Sequence, residues 1–163
     1  MSDLRLPEGI RIAGPEDVPD ILRLIRELAT YEREPDAVAT TEADIERWVF
    51  GADAVASVLI AESEGRAVGM ALWFRNFSTW TGQPGVYLED LFVEPEHRGS
   101  GLGKALLVAL ARIAVDRGYR RVEWVVVNWN APSIAFYDSL GAVPQDEWTS
   151  YRLTGDALAR LGA

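Results

Sequence analysis

The hydrophobic positions of this chain switch repeatedly between the spacing of strands and the spacing of helices, which predicts that the two alternate. A short strand is predicted over residues 10–13. Gly14 and Pro15 follow it and suit the N-cap and the first position of a helix. The apolar stripe of that helix is Val18, Ile21, Leu22, Ile25, Leu28 and Ala29.

A second helix is predicted to begin at Thr41, whose spacing to Asp44 is that of a capping box, and to end near Gly51. Two strands follow, over residues 55–62 and 66–77. The link between them is so short that they are predicted to form a hairpin.

The rest of the chain continues the alternation. In order, it is predicted to contain a loop with Gly82, Pro84 and Gly85, a strand over 86–93, a helix from Leu102 to a stop at Gly118, a strand over 121–127, a helix from Pro132 to Leu140, a strand over 148–153 and a short terminal helix. Hairpins followed by a strand-helix-strand crossover predict an α/β fold with a mixed sheet (α+β in its first half). Without repeats or linkers, residues 1–163 are predicted to form one domain.

Composition narrows the possible chemistry. The chain has no cysteine, which excludes disulfides, thiolate metal sites and cysteine nucleophiles. Its net charge of -9 repels phosphate backbones and anionic lipids and favours cationic partners, so nucleic-acid binding is not expected. The amino terminus lacks the pattern of a signal peptide and no apolar run is long enough to span a membrane, so a cytoplasmic protein is expected.

A glycine-rich segment joins the strand over 86–93 to the helix at Leu102. Such a turn can bind phosphate, because glycines let backbone N–H groups approach an anion and the helix dipole adds partial positive charge there. A Walker loop would need glycine at Arg98 and Ser or Thr at Ala105, and a dinucleotide fingerprint would need glycine at Lys104, so both motifs fail. What remains is Arg98-x-x-Gly101-x-Gly103, or else a tight turn without a ligand.

This arrangement resembles the pyrophosphate-binding signature of the GNAT acetyltransferase superfamily, which implies the GNAT acyl-CoA N-acyltransferase fold and acetyl-CoA as cosubstrate. By this resemblance, the backbone of Leu91, Phe92 and Val93 pairs with the pantetheine of CoA. The residues implied in holding the pyrophosphate are Arg98, Gly99, Ser100, Gly101, Leu102, Gly103 and Lys104.

Several further segments resemble the diamine acetyltransferases, that is the spermidine/spermine acetyltransferases and their thialysine-acetylating relatives. The segments are residues 21–29 with Tyr31-Glu32, Ser78-Thr79-Trp80, Tyr87-Leu88-Glu89-Asp90 and residues 129–137. The resemblance runs almost from end to end of the chain and implies a primary amine as acceptor and a homodimer with active sites near the interface. Ser78 stands where the spermidine-type enzymes carry an acid. The thialysine-type relatives lack that acid as well.

Two side chains are predicted to be catalytic. A primary amine with a pKa near 10.4 must lose a proton before it attacks, at a cost of about 4.6 kcal/mol at pH 7. The resemblance makes Glu89 the general base, acting through water, and places the Tyr137 phenol at the thioester sulfur, where it can protonate the leaving thiolate. Because adjacent strand residues face opposite sides, only one of Glu89 and Asp90 is expected to point at the active-site face. The plainer alternatives are solvated or ion-paired acids and a core tyrosine.

The remaining site residues follow from the resemblance as well. Asn130 and Ser133 are implied as CoA contacts, with an N-cap role as the alternative for Asn130. Substrate contacts are implied at or near Tyr31, Glu32, Trp80, Asp90, Glu123 and Trp124. The acids between residues 27 and 46 create a local negative field that suits a cationic amine, unless they only form a solvated helix face. His97, the one histidine, is interpreted as a turn residue, and no metal is implied.

The predicted function is therefore acetyl-CoA-dependent N-acetylation of a small cationic amine by direct transfer. Two alternatives stay open at this point. One is a GNAT acetyltransferase for another amine, such as an amino acid, an antibiotic or a protein terminus. The other is a non-catalytic acyl-CoA-binding module, against which the retention of both Glu89 and Tyr137 argues.

Overall fold

The computed structural model describes residues 4–163, so the first three residues of the segment examined for a signal peptide lie outside it. Its strands are β1 (Ile10–Ile12), β2 (Ser57–Ser63), β3 (Arg66–Ser78), β4 (Gln83–Val93) and β5 (Val122–Glu123). Its helices are α1 (Val18–Tyr31), α2 (Glu42–Ile45), α3 (Leu102–Asp116), α4 (Ala131–Ser139) and α5 (Gly155–Leu161). Single helical turns lie at Pro15–Asp17, Pro35–Ala37, Glu46–Phe50 and Pro95–His97.

The chain divides into two compact units. The first runs to Val125 and contains the whole sheet with α1, α2 and α3, and the second, Val126–Ala163, contains α4 and α5. A single domain over the full length stays a prediction.

The first unit is built on a mixed sheet, as the sequence predicts. Its strand order is β1-β2-β3-β4-β5, in which the first four strands are antiparallel and β5 runs parallel to β4. Every residue of β2 from Val58 to Ala61 is buried, so both faces of the sheet are covered. Helices α1 and α2 pack on one face through residues such as Ile21 and Leu24, and α3 packs against the sheet as well.

Local signals at the helix ends are confirmed. The Thr41 hydroxyl accepts a hydrogen bond from the Asp44 amide at 3.2 Å while the Asp44 carboxylate accepts from the Thr41 amide at 2.9 Å, which is the predicted capping box. Gly14 precedes the turn that leads into α1. The predicted apolar stripe of α1 differs from the buried face in two residues. Leu24, which the stripe omits, is fully buried in the core, and Ile25, which the stripe includes, is only partly buried.

The predicted loop over residues 82–85 is wrong in part. The chain turns earlier, where the Ser78 hydroxyl accepts from the Thr81 amide at 3.2 Å, and β4 already begins at Gln83. Proline cannot donate a backbone hydrogen bond, so it is tolerated where a strand has a neighbour on one side only. Pro84 pairs with Phe77 of β3, and β5 pairs with β4 only from Val86 onward.

Two predicted strands are also corrected. The strand predicted over 121–127 is reduced to Val122–Glu123, which pair with Val86 and Tyr87 just before the bulge of β4. Residues 148–153 form no strand in the structure. Alternation alone does not make a strand, since a strand also needs a neighbour with which to share ladder hydrogen bonds.

Candidate active site

The glycine-rich turn has the geometry of an anion seat. Gly99 and Gly101 have φ angles of 78° and 88°, which L-residues rarely adopt, and Gly101 is the N-cap of the 15-residue helix α3. A Cβ placed on either glycine would meet no atom within 4 Å, so the space in front of the turn is open. The first amides of α3 lack intrahelical partners, and their dipoles add positive potential at this end. The turn therefore fits a pyrophosphate.

Arg98 secures this turn with its side chain. Its Nε donates to the Val93 carbonyl oxygen at 3.0 Å, and its guanidinium carbon lies 4.6 Å from the ring centroid of Tyr31 and 5.6 Å from that of Phe92. The side chain thus turns back toward α1 and the end of β4. Any contribution of Arg98 to phosphate binding therefore comes from its backbone, and Tyr31 is placed against the turn.

A β-bulge interrupts β4 in front of the turn. Leu72 of β3 pairs with Asp90 and the next residue, Trp73, pairs with Leu88, so Glu89 has no partner on β3. On its other side β4 pairs with β5 only at Val86 and Tyr87. Within residues 4–163 no strand covers that edge of β4 from Glu89 to Val93. Backbone groups of residues 91–93 on this edge, other than the Val93 carbonyl oxygen that already accepts from Arg98, can thus pair with an extended ligand that leads to the turn.

The bulge sets the face on which Asp90 lies and leaves Glu89 outside the pairing with β3. Asp90, like its partner Leu72, lies on the sheet face that packs against α1, and burial with the charges of Glu89 and Glu32 raises the pKa of Asp90 to about 6. Glu89 is exposed, and its charge also raises the pKa of Tyr87. Strict alternation fails where two residues of one strand oppose one of the other. The two carboxylates lie close enough at the bulge to interact by charge.

Glu32 completes an acidic group with Asp90 and Glu89. It is the residue that follows α1, and burial raises its pKa as well. The pKa of Asp90 is raised first by burial and then by the charges of Glu89 and Glu32, so a positive ligand at this group would be attracted by all three carboxylates. Of the predicted substrate contacts, Glu32 and Asp90 are thus brought together, and Tyr31 lies one residue before Glu32.

Tyr87 and Phe74 were not predicted as site residues. Their ring centroids are 5.1 Å apart, and the charges of Glu89 and Glu123 raise the pKa of Tyr87 after the larger effect of burial. Tyr87 pairs with Phe74 and Asp90 with Leu72, two residues apart on β3, so the bulge puts Tyr87 and Asp90 on the same face. The pair adds an aromatic surface beside the acidic group.

Glu123 is less available for a cation than predicted. It pairs with Tyr87 in the sheet, but its carboxylate accepts a hydrogen bond from the Asn76 side chain at 3.0 Å and lies 3.4 Å from Arg121 Nε. Trp124 follows it directly, after the end of β5. Neighbouring groups thus already offset part of the charge of Glu123.

Trp80 lies at the far end of the β3–β4 hairpin and is 84% exposed. Ser78 is six residues along β3 from Leu72, the partner of Asp90. At about 3.3 Å per residue this is roughly 20 Å. Within one chain, Trp80 therefore lies far from the acidic group.

The second unit carries three predicted site residues, one at the N-cap of α4 and two within that helix. The Asn130 side chain accepts a hydrogen bond from the Ser133 amide at 3.3 Å, so the N-cap alternative for Asn130 is confirmed. Tyr137 lies one turn further along α4, with its ring centroid 5.6 Å from that of Phe136. The cap fixes the start of the helix that carries Ser133 and Tyr137.

Glu94, Glu96 and His97 bring three possible metal-ligand atoms within 4.8 Å of one another. Both oxygens of Glu94, however, accept hydrogen bonds from guanidinium groups. This arrangement already neutralises the Glu94 carboxylate and leaves it poorly suited to a cation.

The fold, the turn and the open strand edge agree with the match to known proteins. Residues 19–142 match the family described as Acetyltransferase (GNAT) family. The chain belongs to the GNAT acetyltransferase family. This GNAT protein is an N-acetyltransferase, and the superfamily resemblance seen in its sequence is confirmed.

Relatives of this GNAT enzyme cover nearly its whole length. The thialysine N-epsilon-acetyltransferase of Sus scrofa is 37% identical, over 93% of this chain and 95% of the relative. The L-ornithine N5-acetyltransferase of Arabidopsis thaliana is 31% identical, over 96% of this chain and 89% of the relative. Among solved structures, an integron cassette protein from V. cholerae superposes with a TM-score of 0.80 at 28% identity, over 94% of this chain and 96% of that one. The predicted resemblance to thialysine acetyltransferases is confirmed.

No helix within residues 4–163 is both long and apolar enough to cross a membrane.

Proposed function

We propose that this GNAT enzyme transfers the acetyl group of acetyl-CoA directly to a primary amine of a small cationic substrate. One observation carries the proposal: a single strand, β4, bears a carboxylate pair at its bulge, then an uncovered edge, then the glycine-rich turn at the start of α3. An extended thioester along that edge would have its acyl end beside the carboxylates when its phosphates lie at the turn.

The first step of the proposed reaction is deprotonation of the substrate ammonium. Glu89 is proposed as the general base, acting through water, because it is exposed and lies at the bulge beside the uncovered edge. Asp90 and Glu32 are proposed to hold the amine by charge. A bound cation would stabilise their ionised forms and thereby lower the raised pKa of Asp90.

In the second step the free amine attacks the thioester carbonyl and the bond to sulfur breaks. Acetyl-CoA supplies the activated acyl group and a good leaving thiolate. Tyr137 is proposed to donate its phenolic proton to that thiolate, a role carried over from the diamine acetyltransferases. Transfer is proposed to be direct, since the chain has no cysteine to form an acyl-enzyme thioester.

The proposed substrate has a second polar or charged group within a short distance of the reacting amine. The acidic group is compact, and Trp80 lies roughly 20 Å away along the hairpin. The relatives named for thialysine and L-ornithine act, by their names, on amino acids with a side-chain amine. These observations favour thialysine-like amino acids and short diamines over spermine.

The substrate class can be tested by measuring CoA release with thialysine, ornithine, putrescine, spermidine, spermine and a neutral monoamine at two salt concentrations. We expect the short cationic substrates to have the highest kcat/KM and to lose efficiency as salt rises. If the neutral monoamine were the best substrate and salt had no effect, the proposal that the acidic group binds the amine by charge would be refuted. An antibiotic or protein terminus as acceptor would give no turnover with any of the six amines.

Binding of acetyl-CoA is tested separately with Gly101→Asp. The substitution adds a negative charge and an L-residue at a φ of 88°, so affinity should be lost. Gly65→Asp, at a positive-φ glycine in the β2–β3 turn, is a matched control that should leave affinity unchanged. Calorimetry measures both variants. Equal affinity of folded Gly101→Asp and wild type would contradict the site, whereas binding without CoA release would support the non-catalytic alternative.

The resemblance to diamine acetyltransferases also supports a homodimer as part of the proposal. Sedimentation of the purified protein tests it, and a monomer at micromolar concentration would contradict it.

A further inference from the structure

Glu94 is one of the two least exposed acidic residues in the described part of the chain, and it lies immediately before the glycine-rich turn. Its side chain is 6% exposed. Arg66 donates to both of its oxygens, through Nη1 at 2.7 Å and through Nη2, and Arg23 Nη1 donates as well. The Nδ1 atom of His97 lies 3.5 Å from Oε2. A buried charge with this many donors is fully compensated.

These hydrogen bonds join three elements at one point. Arg23 belongs to α1 and also donates to the Ala67 carbonyl at 2.8 Å, while Arg66 is the first residue of β3. The backbone of Glu94 takes part too, since its amide donates to Val68 O at 2.8 Å and its carbonyl accepts from the His97 amide at 2.9 Å. Glu94 thus connects α1, the start of β3 and the segment that leads into the turn.

The same segment touches α1 a second time. Four residues after Glu94, the Arg98 guanidinium stacks on Tyr31. Arg23 and Tyr31 lie eight residues apart on α1, which is about 12 Å along a helix. The chain between Glu94 and Arg98 is therefore fastened at both ends to one rigid element, and the phosphate-binding amides begin directly after it.

We propose that Glu94 is a positioning residue for acetyl-CoA, which holds the glycine-rich turn in register with α1 through its contacts with Arg23 and Arg66. This inference rests on the proposed function. If it is correct, loss of the Glu94 charge frees the first end of the segment and misaligns the amides of the turn. The bound acyl group still meets the same Glu89 and Asp90 once the cosubstrate is saturating.

The matched control is the other of these two least exposed acidic residues, Asp17. It is 5% exposed and accepts from Arg11 Nη1 and Nη2 at 2.7 and 2.8 Å, and from the Gly14 amide at 2.8 Å. Asp17 lies before α1, at the opposite end of that helix from Tyr31. Asp17→Asn and Glu94→Gln should therefore lower stability by similar mechanisms, while only the second should affect cosubstrate binding.

The experiment measures the acetyl-CoA Kd by calorimetry, steady-state kinetics and denaturant unfolding for wild type, Glu94→Gln, Glu94→Asp, Arg66→Met and Asp17→Asn. We expect Glu94→Gln to raise the Kd and the KM for acetyl-CoA at least tenfold with kcat changed less than about threefold, as for other residues that orient a binding group. Glu94→Asp should recover part of the affinity. Arg66→Met changes a side chain that is 55% exposed and should raise the acetyl-CoA Kd by a smaller factor. This variant tests the inference if Glu94→Gln does not fold.

Two outcomes would overturn the inference: an unchanged Kd in folded Glu94→Gln and Arg66→Met, or an equal rise in Asp17→Asn. The latter would mean that Glu94 only stabilises the fold. Failure of wild type to bind acetyl-CoA would instead refute the proposed function, so the two failures are distinguishable.

Discussion

The substitution Asp90→Asn should stabilise the protein at neutral and alkaline pH while it impairs amine binding. Burial, Glu89 and Glu32 raise the pKa of Asp90 from 3.8 to about 6. Because the folded state holds the proton more tightly than the unfolded state, the wild type loses stability as pH rises from about 4 to about 6. Above the folded-state pKa the loss is complete. Asparagine carries no charge to bury and escapes this loss.

The magnitude follows from the size of the shift. A difference of about two pKa units at 1.36 kcal/mol per unit corresponds to about 3 kcal/mol, which is an upper value because water can relax around the charge. For a chain of 163 residues, each kcal/mol raises the Tm by about 2–4 °C. The advantage of Asp90→Asn should therefore be nearly absent at pH 4 and reach several degrees at pH 8.

The assay is denaturant unfolding of wild type, Asp90→Asn and the control Asp53→Asn at pH 4, 5, 6, 7 and 8. Asp53 is exposed in the turn before β2, so its variant should match the wild type at every pH. A stability difference for Asp90→Asn that does not change with pH would refute the reasoning, as would destabilisation at pH 8. The KM for the amine, measured on the same samples, should rise.

Two other substitutions separate chemistry from binding. Tyr137→Phe removes only the hydroxyl and should lower kcat by about 10² or more with the acetyl-CoA Kd unchanged, as expected for loss of a proton donor; a wild-type kcat would return Tyr137 to a packing role, and Tyr119→Phe is its control. Glu32→Gln should raise the KM for cationic amines about tenfold with little change in kcat, because it removes a charge interaction present in both ground and transition states. Glu34→Gln, two residues along, is its control, and a fall in kcat without a rise in KM would contradict the assignment of Glu32.

Much of the fold could be predicted from local pattern. The capping box at Thr41, the hairpin of β2 and β3 and the span of α3 all depend on residues close in sequence. The glycine-rich turn belongs to this class as well. Positive φ at Gly99 and Gly101 and the helix start at Leu102 are properties of a few consecutive residues, so the motif could be recognised without the tertiary structure.

The wrong strand predictions concern segments whose structure depends on pairing with residues far away in the sequence. The strand predicted over 121–127 stops at Glu123, where its pairing with β4 ends, and the segment over 148–153 has the alternation of a strand without a partner. Neither outcome can be predicted from the sequence of the segment alone, since hydrogen bonds between strands depend on the sequences of both strands.

The sequence by itself determined the fold class, the glycine-rich turn and the presence of Glu89, Asp90 and Tyr137, since each depends on local spacing or on a motif. Only the tertiary structure decided which side chains share a face. The bulge after Leu72 places Asp90 on the face that packs against α1, where burial and then the charges of Glu89 and Glu32 raise its pKa. A single extra residue in one strand reverses alternation, and whether it is accommodated depends on packing against β3, which no local pattern reports.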